Sequence, residues 1–97
     1  MPPAPDRPGF LAHREGDLVG VAVRDLDQGP VHGSYLTGED TISLTLTEPV
    51  PLGHKVALTD IAAGQDVIEY GQRVAIASKD IRQGDHVHVH NVRSARL

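Results

Sequence analysis

The stretch Thr41-Ile42-Ser43-Leu44-Thr45-Leu46-Thr47 alternates polar and apolar residues without a break. Successive side chains of a strand point to opposite faces, so Ile42, Leu44 and Leu46 share one face and Thr41, Ser43, Thr45 and Thr47 the other. Val19, Val21 and Val23 repeat the pattern on a second segment, and weaker short strands are expected around 55–58, 67–70, 74–78 and 87–89. No helix-period stretch of useful length occurs anywhere. The expectation is an all-β fold.

A second constraint is repetition. Ala22-Val23-Arg24-Asp25-Leu26-Asp27-Gln28-Gly29 is echoed by Ala57-Leu58-Thr59-Asp60-Ile61-Ala62-Ala63-Gly64 and by Ala77-Ser78-Lys79-Asp80-Ile81-Arg82-Gln83-Gly84. The shared pattern is Ala-x-x-Asp-(Ile/Leu)-x-x-Gly. Its local physics predicts a corner: a strand ends, Asp caps a short single helical turn, and Gly ends it in a left-handed conformation. Leu26, Ile61 and Ile81 would then plug the core beneath each corner. Copies spaced by 35 and then 20 residues are too few and too uneven for a solenoid. They read as repeated corners of a compact β fold, and most of their residues as scaffold.

Composition narrows the function. Ninety-seven residues make one domain, large enough to hide roughly 65% of its unfolded surface. The absence of cysteine excludes disulfides, thiolate metal sites and cysteine nucleophiles. A net charge of −4 disfavours a nucleic-acid surface, and the three aromatics Phe10, Tyr35 and Tyr70 offer no base-stacking platform. No apolar run approaches the roughly 20 residues of a membrane helix. Four prolines fall within the first eight residues, without the apolar core of a secretion signal, so a cytoplasmic location is expected. Residues 1–15 are expected to form a proline-rich disordered arm and lead-in, 16–93 the domain, and 94–97 a tail.

Against this background six histidines stand out. In His86-Val87-His88-Val89-His90-Asn91 a continuous strand would point the three imidazoles one way and anchor Val87 and Val89 in the core. Such a face can hold a metal or move protons; it can equally be the polar outer side of an edge strand. Gly53-His54-Lys55 follows the proline-stiffened segment Pro49-Val50-Pro51-Leu52 and sets an imidazole beside an ammonium, a pair suited to a carboxylate, or else a plain surface turn. Tyr70-Gly71 is expected to close a hairpin with Gln72, its phenol at a pocket rim. His13 and His32 read as surface residues. No serine sits in a nucleophile elbow, and no phosphate-cradling glycine loop is present.

The order Gly53-His54-Lys55-x-Ala57-Leu58-x-Asp60-Ile61-x-x-Gly64, Val67-Ile68-x-Tyr70-Gly71, Ala77, Ile81, Gly84 and the histidine run resembles the N-terminal domain of the altronate dehydratase family. That family also includes galactarate dehydratase and the sulfolactate sulfo-lyases. The resemblance covers about residues 16–93 and implies a SAF-type β-clip fold. It also implies a lyase of sugar-acid metabolism, acting on sugar acids or related 2-hydroxy acids with the help of a divalent metal, often Fe2+. Transferred to this sequence, it makes His86, His88 and His90 candidates for metal binding or acid–base work, His54 and His88 the catalytic candidates, His54 and Lys55 candidates for contacting the substrate carboxylate, and Tyr70 and Asn91 further candidate substrate contacts. In full-length dehydratases a much larger domain follows, whereas this chain ends at Leu97. The expectation is therefore a small subunit like that of a sulfo-lyase, inactive until a separately encoded large subunit supplies the walls that exclude water. The competing reading is a stand-alone SAF-type module that binds a sugar acid or metal without catalysis. Exposed strand edges leave homo-oligomerisation open.

Overall fold

The computed structural model describes residues 7–37 and 40–94. Among the described residues nine strands run β1 Phe10–Ala12, β2 Val19–Ala22, β3 Gly29–Tyr35, β4 Thr41–Leu46, β5 Lys55–Ala57, β6 Asp66–Glu69, β7 Gln72–Ala77, β8 His86–Val87 and β9 Val92–Ser94. They form a six-stranded sheet in the order β4-β3-β1-β2-β5-β8 and a three-stranded sheet in the order β6-β7-β9. β1 and β3 run parallel. No helix occurs among the described residues, so none is long and apolar enough to cross a membrane.

Two hydrophobic cores flank the middle of the large sheet. Phe10, Leu26, Leu44, Leu46, Val50 and Val56 belong to the first. Val19, Ala57, Ile61, Val67, Ile81 and Val87 belong to the second. β2 and β5 lie between them: Ala22 and Val56 face one core while Val19 and Ala57 face the other. A strand covered on both sides needs apolar residues on both faces, which explains why the alternation is weak there and clean in β4. On β4, Leu44 and Leu46 are buried as expected, whereas Val23 lies past the end of β2 and is exposed.

The expected lead-in contributes a strand. β1 sits inside the sheet between β2 and β3, and Phe10 is 0% exposed. A side chain at Gly33 would start 2.3 Å from the Phe10 ring, so the chain's single phenylalanine fits only because that position is bare. Residues 1–6 of the expected arm and 95–97 of the expected tail lie outside the described residues.

The corners depart from the helical turn expected of them. After Ile61, Gln65 N–H donates to Ala62 C=O at 2.9 Å, and after Ile81, Asp85 N–H donates to Arg82 C=O at 2.9 Å. These are single four-residue turns, with Gly64 at φ 85° and Gly84 at φ 91° supplying the left-handed position. The aspartates cap each other's corner instead of their own. Asp60 Oδ1 accepts from Gln83 N–H at 2.8 Å, and Asp80 Oδ1 accepts from Ala63 N–H at 2.9 Å. Between them Ile61 and Ile81 exchange both backbone hydrogen bonds at 2.8 Å. Leu26 has a partner of the same kind that lies outside the Asp-(Ile/Leu)-x-x-Gly pattern. It exchanges backbone bonds at 2.9 Å with Val50, and Asp25 Oδ1 accepts from Leu52 N–H at 2.8 Å. Pro49-Val50-Pro51-Leu52-Gly53 is thus a fourth corner, closed by His54 N–H donating to Pro51 C=O at 3.0 Å.

Candidate functional site

The fourth corner delivers Lys55 into β5 with His54 just before it, and the corner after Ile81 delivers His86 into β8. β5 and β8 pair antiparallel with Lys55 opposite Val87 and Val56 opposite His86. One step beyond that register His54 meets His88, their rings stacked at 4.2 Å between centroids. His54 Nδ1 and His86 Nε2 lie 2.8 Å apart, hydrogen-bonded across 32 residues of sequence. His54, His86 and His88 therefore bring one ring nitrogen each to within 4.8 Å of one another. Three imidazoles at that spacing match the facial half of a metal shell.

The histidine run does not continue as a strand. β8 stops at Val87, and Val89 is 81% exposed instead of anchored in the core. Asn91 enforces the break. It is 4% exposed, its Oδ1 accepts from His88 N–H at 2.9 Å, and its Nδ2 donates to His86 C=O at 2.8 Å. Asn91 and Val92 N–H both donate to His88 C=O, at 3.0 and 3.1 Å. The strict alternation of His86, His88 and His90 is lost, and these three form no common ligand group among the described residues. His54 takes the place expected of His90. His90 instead joins His86 and Glu48 in a second group within 4.8 Å, with Glu48 Oε1 3.6 Å from His86 Nδ1. Asn91, expected at the substrate, spends its amide on the backbone that carries His86 and His88.

Glu48 escaped the sequence reading. It is brought to His86 by Thr47, whose hydroxyl donates to Asp85 Oδ1 at 2.6 Å and whose N–H donates to Gly84 C=O at 3.2 Å. A side chain at Gly84 would collide with Thr45 C=O, so this close approach is reserved for glycine. Burial holds the His86 imidazole below its ordinary value of 6.5; positive charge on His54 and His90 pushes the same way, and Glu48 opposes. In the metal-free chain His86 is thereby biased to the neutral form that ligation requires.

His54, Lys55 and His88 open onto a cleft of about 290 Å³, whose wall includes Val74, Val89 and Arg93. Lys55 Nζ lies 3.8 Å from Glu69 Oε1. Tyr70 is elsewhere. It closes the β6–β7 hairpin as expected, with Tyr70 at φ 61° and Gly71 at φ 71°. Buried Asp17 accepts both turn N–H groups, from Tyr70 at 2.8 Å and Gly71 at 3.0 Å. The Tyr70 ring rests against His13 at 4.0 Å and under the Arg14 guanidinium at 5.5 Å, lining a separate hollow. A wider groove of about 530 Å³ along β3 and β4 includes His32 but gathers no group of three potential ligands among the described residues.

An all-β domain is the kind of unit the SAF resemblance implies. The chain belongs to the altronate/galactarate dehydratase SAF domain family, whose family model matches residues 8–95. It is 38% identical over 92 residues to the (2R)-sulfolactate sulfo-lyase subunit alpha of Chromohalobacter salexigens, covering 90% of this chain and 95% of that one. It is 45% identical over 78 residues to the altronate dehydratase of Escherichia coli, covering 80% of this chain but 15% of that enzyme. A second sulfolactate sulfo-lyase subunit alpha, from Paracoccus pantotrophus, is 42% identical over 53 residues, or 55% of this chain and 79% of that one.

Proposed function

We propose that the chain is the small subunit of a lyase that removes a β-leaving group from a sugar acid or related 2-hydroxy acid, inactive until a large subunit closes its site. The observation that carries this reading is the convergence of His54, His86 and His88, with His54 and His88 opening beside Lys55 onto one cleft. The relatives named as alpha subunits support the need for a partner. A cytoplasmic location belongs to the same reading.

The donor set fits a divalent ion such as Fe2+. Three neutral imidazoles satisfy a borderline cation and leave open positions, and His54 and His86 already face each other through ring nitrogens. His54, His86 and His88 would hold it, and it would supply Lewis-acid charge for the carboxylate of the substrate as the carbon acid ionises. Lys55 would add a second cationic contact to that carboxylate from β5. Asn91 keeps His86 and His88 on a fixed turn. In the reaction a base removes the proton next to the carboxylate, the electron pair forms the carbon–carbon double bond, and water or sulfite departs from the neighbouring carbon. The enol that remains tautomerises to a 2-oxo acid. His90 stands outside the three-imidazole group, beside His86 and Glu48.

The test is co-expression with a large subunit of the family and purification through a non-histidine tag. Metal content and lyase activity on sulfolactate, altronate and galactarate are then measured. One ion per heteromer, with activity dependent on both chains, is expected. A chain that neither associates with such a subunit nor retains metal would sink the reading.

A further inference from the structure

His86 shows different partners to its two nitrogens. Nε2 faces His54 Nδ1 at 2.8 Å, and Nδ1 faces Glu48 Oε1 at 3.6 Å. A neutral imidazole carries one proton, so only one of these sides can donate. With the proton on Nε2, the Nδ1 lone pair would point at a carboxylate, which accepts only. With the proton on Nδ1, the N–H dipole points at the carboxylate and Nε2 is free to accept from His54 Nδ1–H. Both donors then aim along one direction, from His54 through His86 to Glu48.

We propose that Glu48 is a positioning residue that fixes His86 in the Nδ1–H tautomer and turns its Nε2 lone pair toward His54 and His88. The 3.6 Å separation is just beyond hydrogen-bond range, and closing it by a few tenths of an ångström completes a charge-assisted bond. Carboxylates behind ligating histidines set the tautomer and raise ligand basicity in this manner. Glu48 is held for the task, between the Thr47 bonds to Asp85 and Gly84 and the fixed φ of Pro49. The consequence for metal affinity rests on the metal site proposed above; the tautomer does not.

The experiment uses the full chain, uniformly labelled with 15N, without metal and then titrated with Zn2+ as a diamagnetic probe. Long-range 1H–15N spectra of the metal-free wild type should show His86 protonated on Nδ1. Glu48→Ala should mix the two tautomers and weaken Zn2+ binding about 10–100-fold. Glu48→Gln should restore the tautomer and part of the affinity, because its amide oxygen still accepts. Amide dispersion of each variant confirms that it is folded. An Nε2–H tautomer in the wild type overturns the proposal, as does unchanged Zn2+ affinity in Glu48→Ala. Two Zn2+ per chain, with the second lost in Glu48→Ala, also overturns it by making Glu48 a ligand. A wild type that binds no Zn2+ yet shows the Nδ1–H tautomer, lost in Glu48→Ala, removes the metal reading and upholds the positioning role.

Discussion

The two corner pairs share one plan and differ at one position. Around Ile61 and Ile81 the capping is reciprocal, each aspartate satisfying a backbone N–H of the other corner. Around Leu26 and Val50 it runs one way. Asp25 caps Leu52, but Pro49 stands where the answering aspartate would be and has no side-chain acceptor. Glu48 precedes that proline and His54 follows the glycine that ends the corner. The complete pair is a platform, fixing where β8 begins and so where His86 stands. The incomplete pair gives up one cap, and its flanks carry chemistry.

The comparison breaks most severely at the plugs. Ile61→Ala or Ile81→Ala should cost about 2–5 kcal/mol in urea unfolding, because each side chain is fully enclosed in the second core. A loss below about 1 kcal/mol would show that the paired corners do not share that core. Next come the caps. Asp60→Ala and Asp80→Ala should each cost about 0.5–2 kcal/mol, the range for a side chain that satisfies an end-of-turn amide. Asp25→Ala should fall in the same range, and a negligible effect there would separate the two pairs further.

The histidines sharpen the comparison without unfolding the chain. His88→Ala should weaken Zn2+ binding more than about tenfold in calorimetry, whereas His90→Ala should leave most of it. Both should change stability by under about 0.5 kcal/mol, since both side chains are exposed. Equal losses of affinity would restore the ligand set expected from the run. The smallest effect concerns pH. Because His86 is held below 6.5 when folded, the unfolded chain binds more protons there, and stability rises with pH. The metal-free chain should lose stability as pH falls from about 6.5 through the lowered value, with no contribution above it. His86→Gln should flatten that part of the profile in thermal melts.

Much was legible along the chain. Alternation in β4 placed Leu44 and Leu46 inward because a strand's period is local, and Tyr70-Gly71 marked its hairpin because a two-residue turn is local too. Three corners were readable from Asp, an aliphatic residue and Gly. The fourth was not, since Pro49 replaces the aspartate and removes the signature while leaving the geometry. β1 was missed because three residues after a proline-rich segment are too short to show a period.

What the sequence alone determined is the inventory and the local shape: an all-β chain, corners with buried plugs, and histidines next to corner glycines. Which aspartate caps which corner, and that Glu48 and His54 gather around His86, were decided by tertiary structure. Those contacts join residues tens of positions apart, as His54 and His86 are at 32, and no periodicity carries over such a distance, whereas the Asn91 bonds that end β8 span only 3 and 5 residues. Burial of both faces of β5, the close approach allowed at Gly84 and the backbone bonds Ala57 exchanges with Gly84 and Asp85 select that pairing.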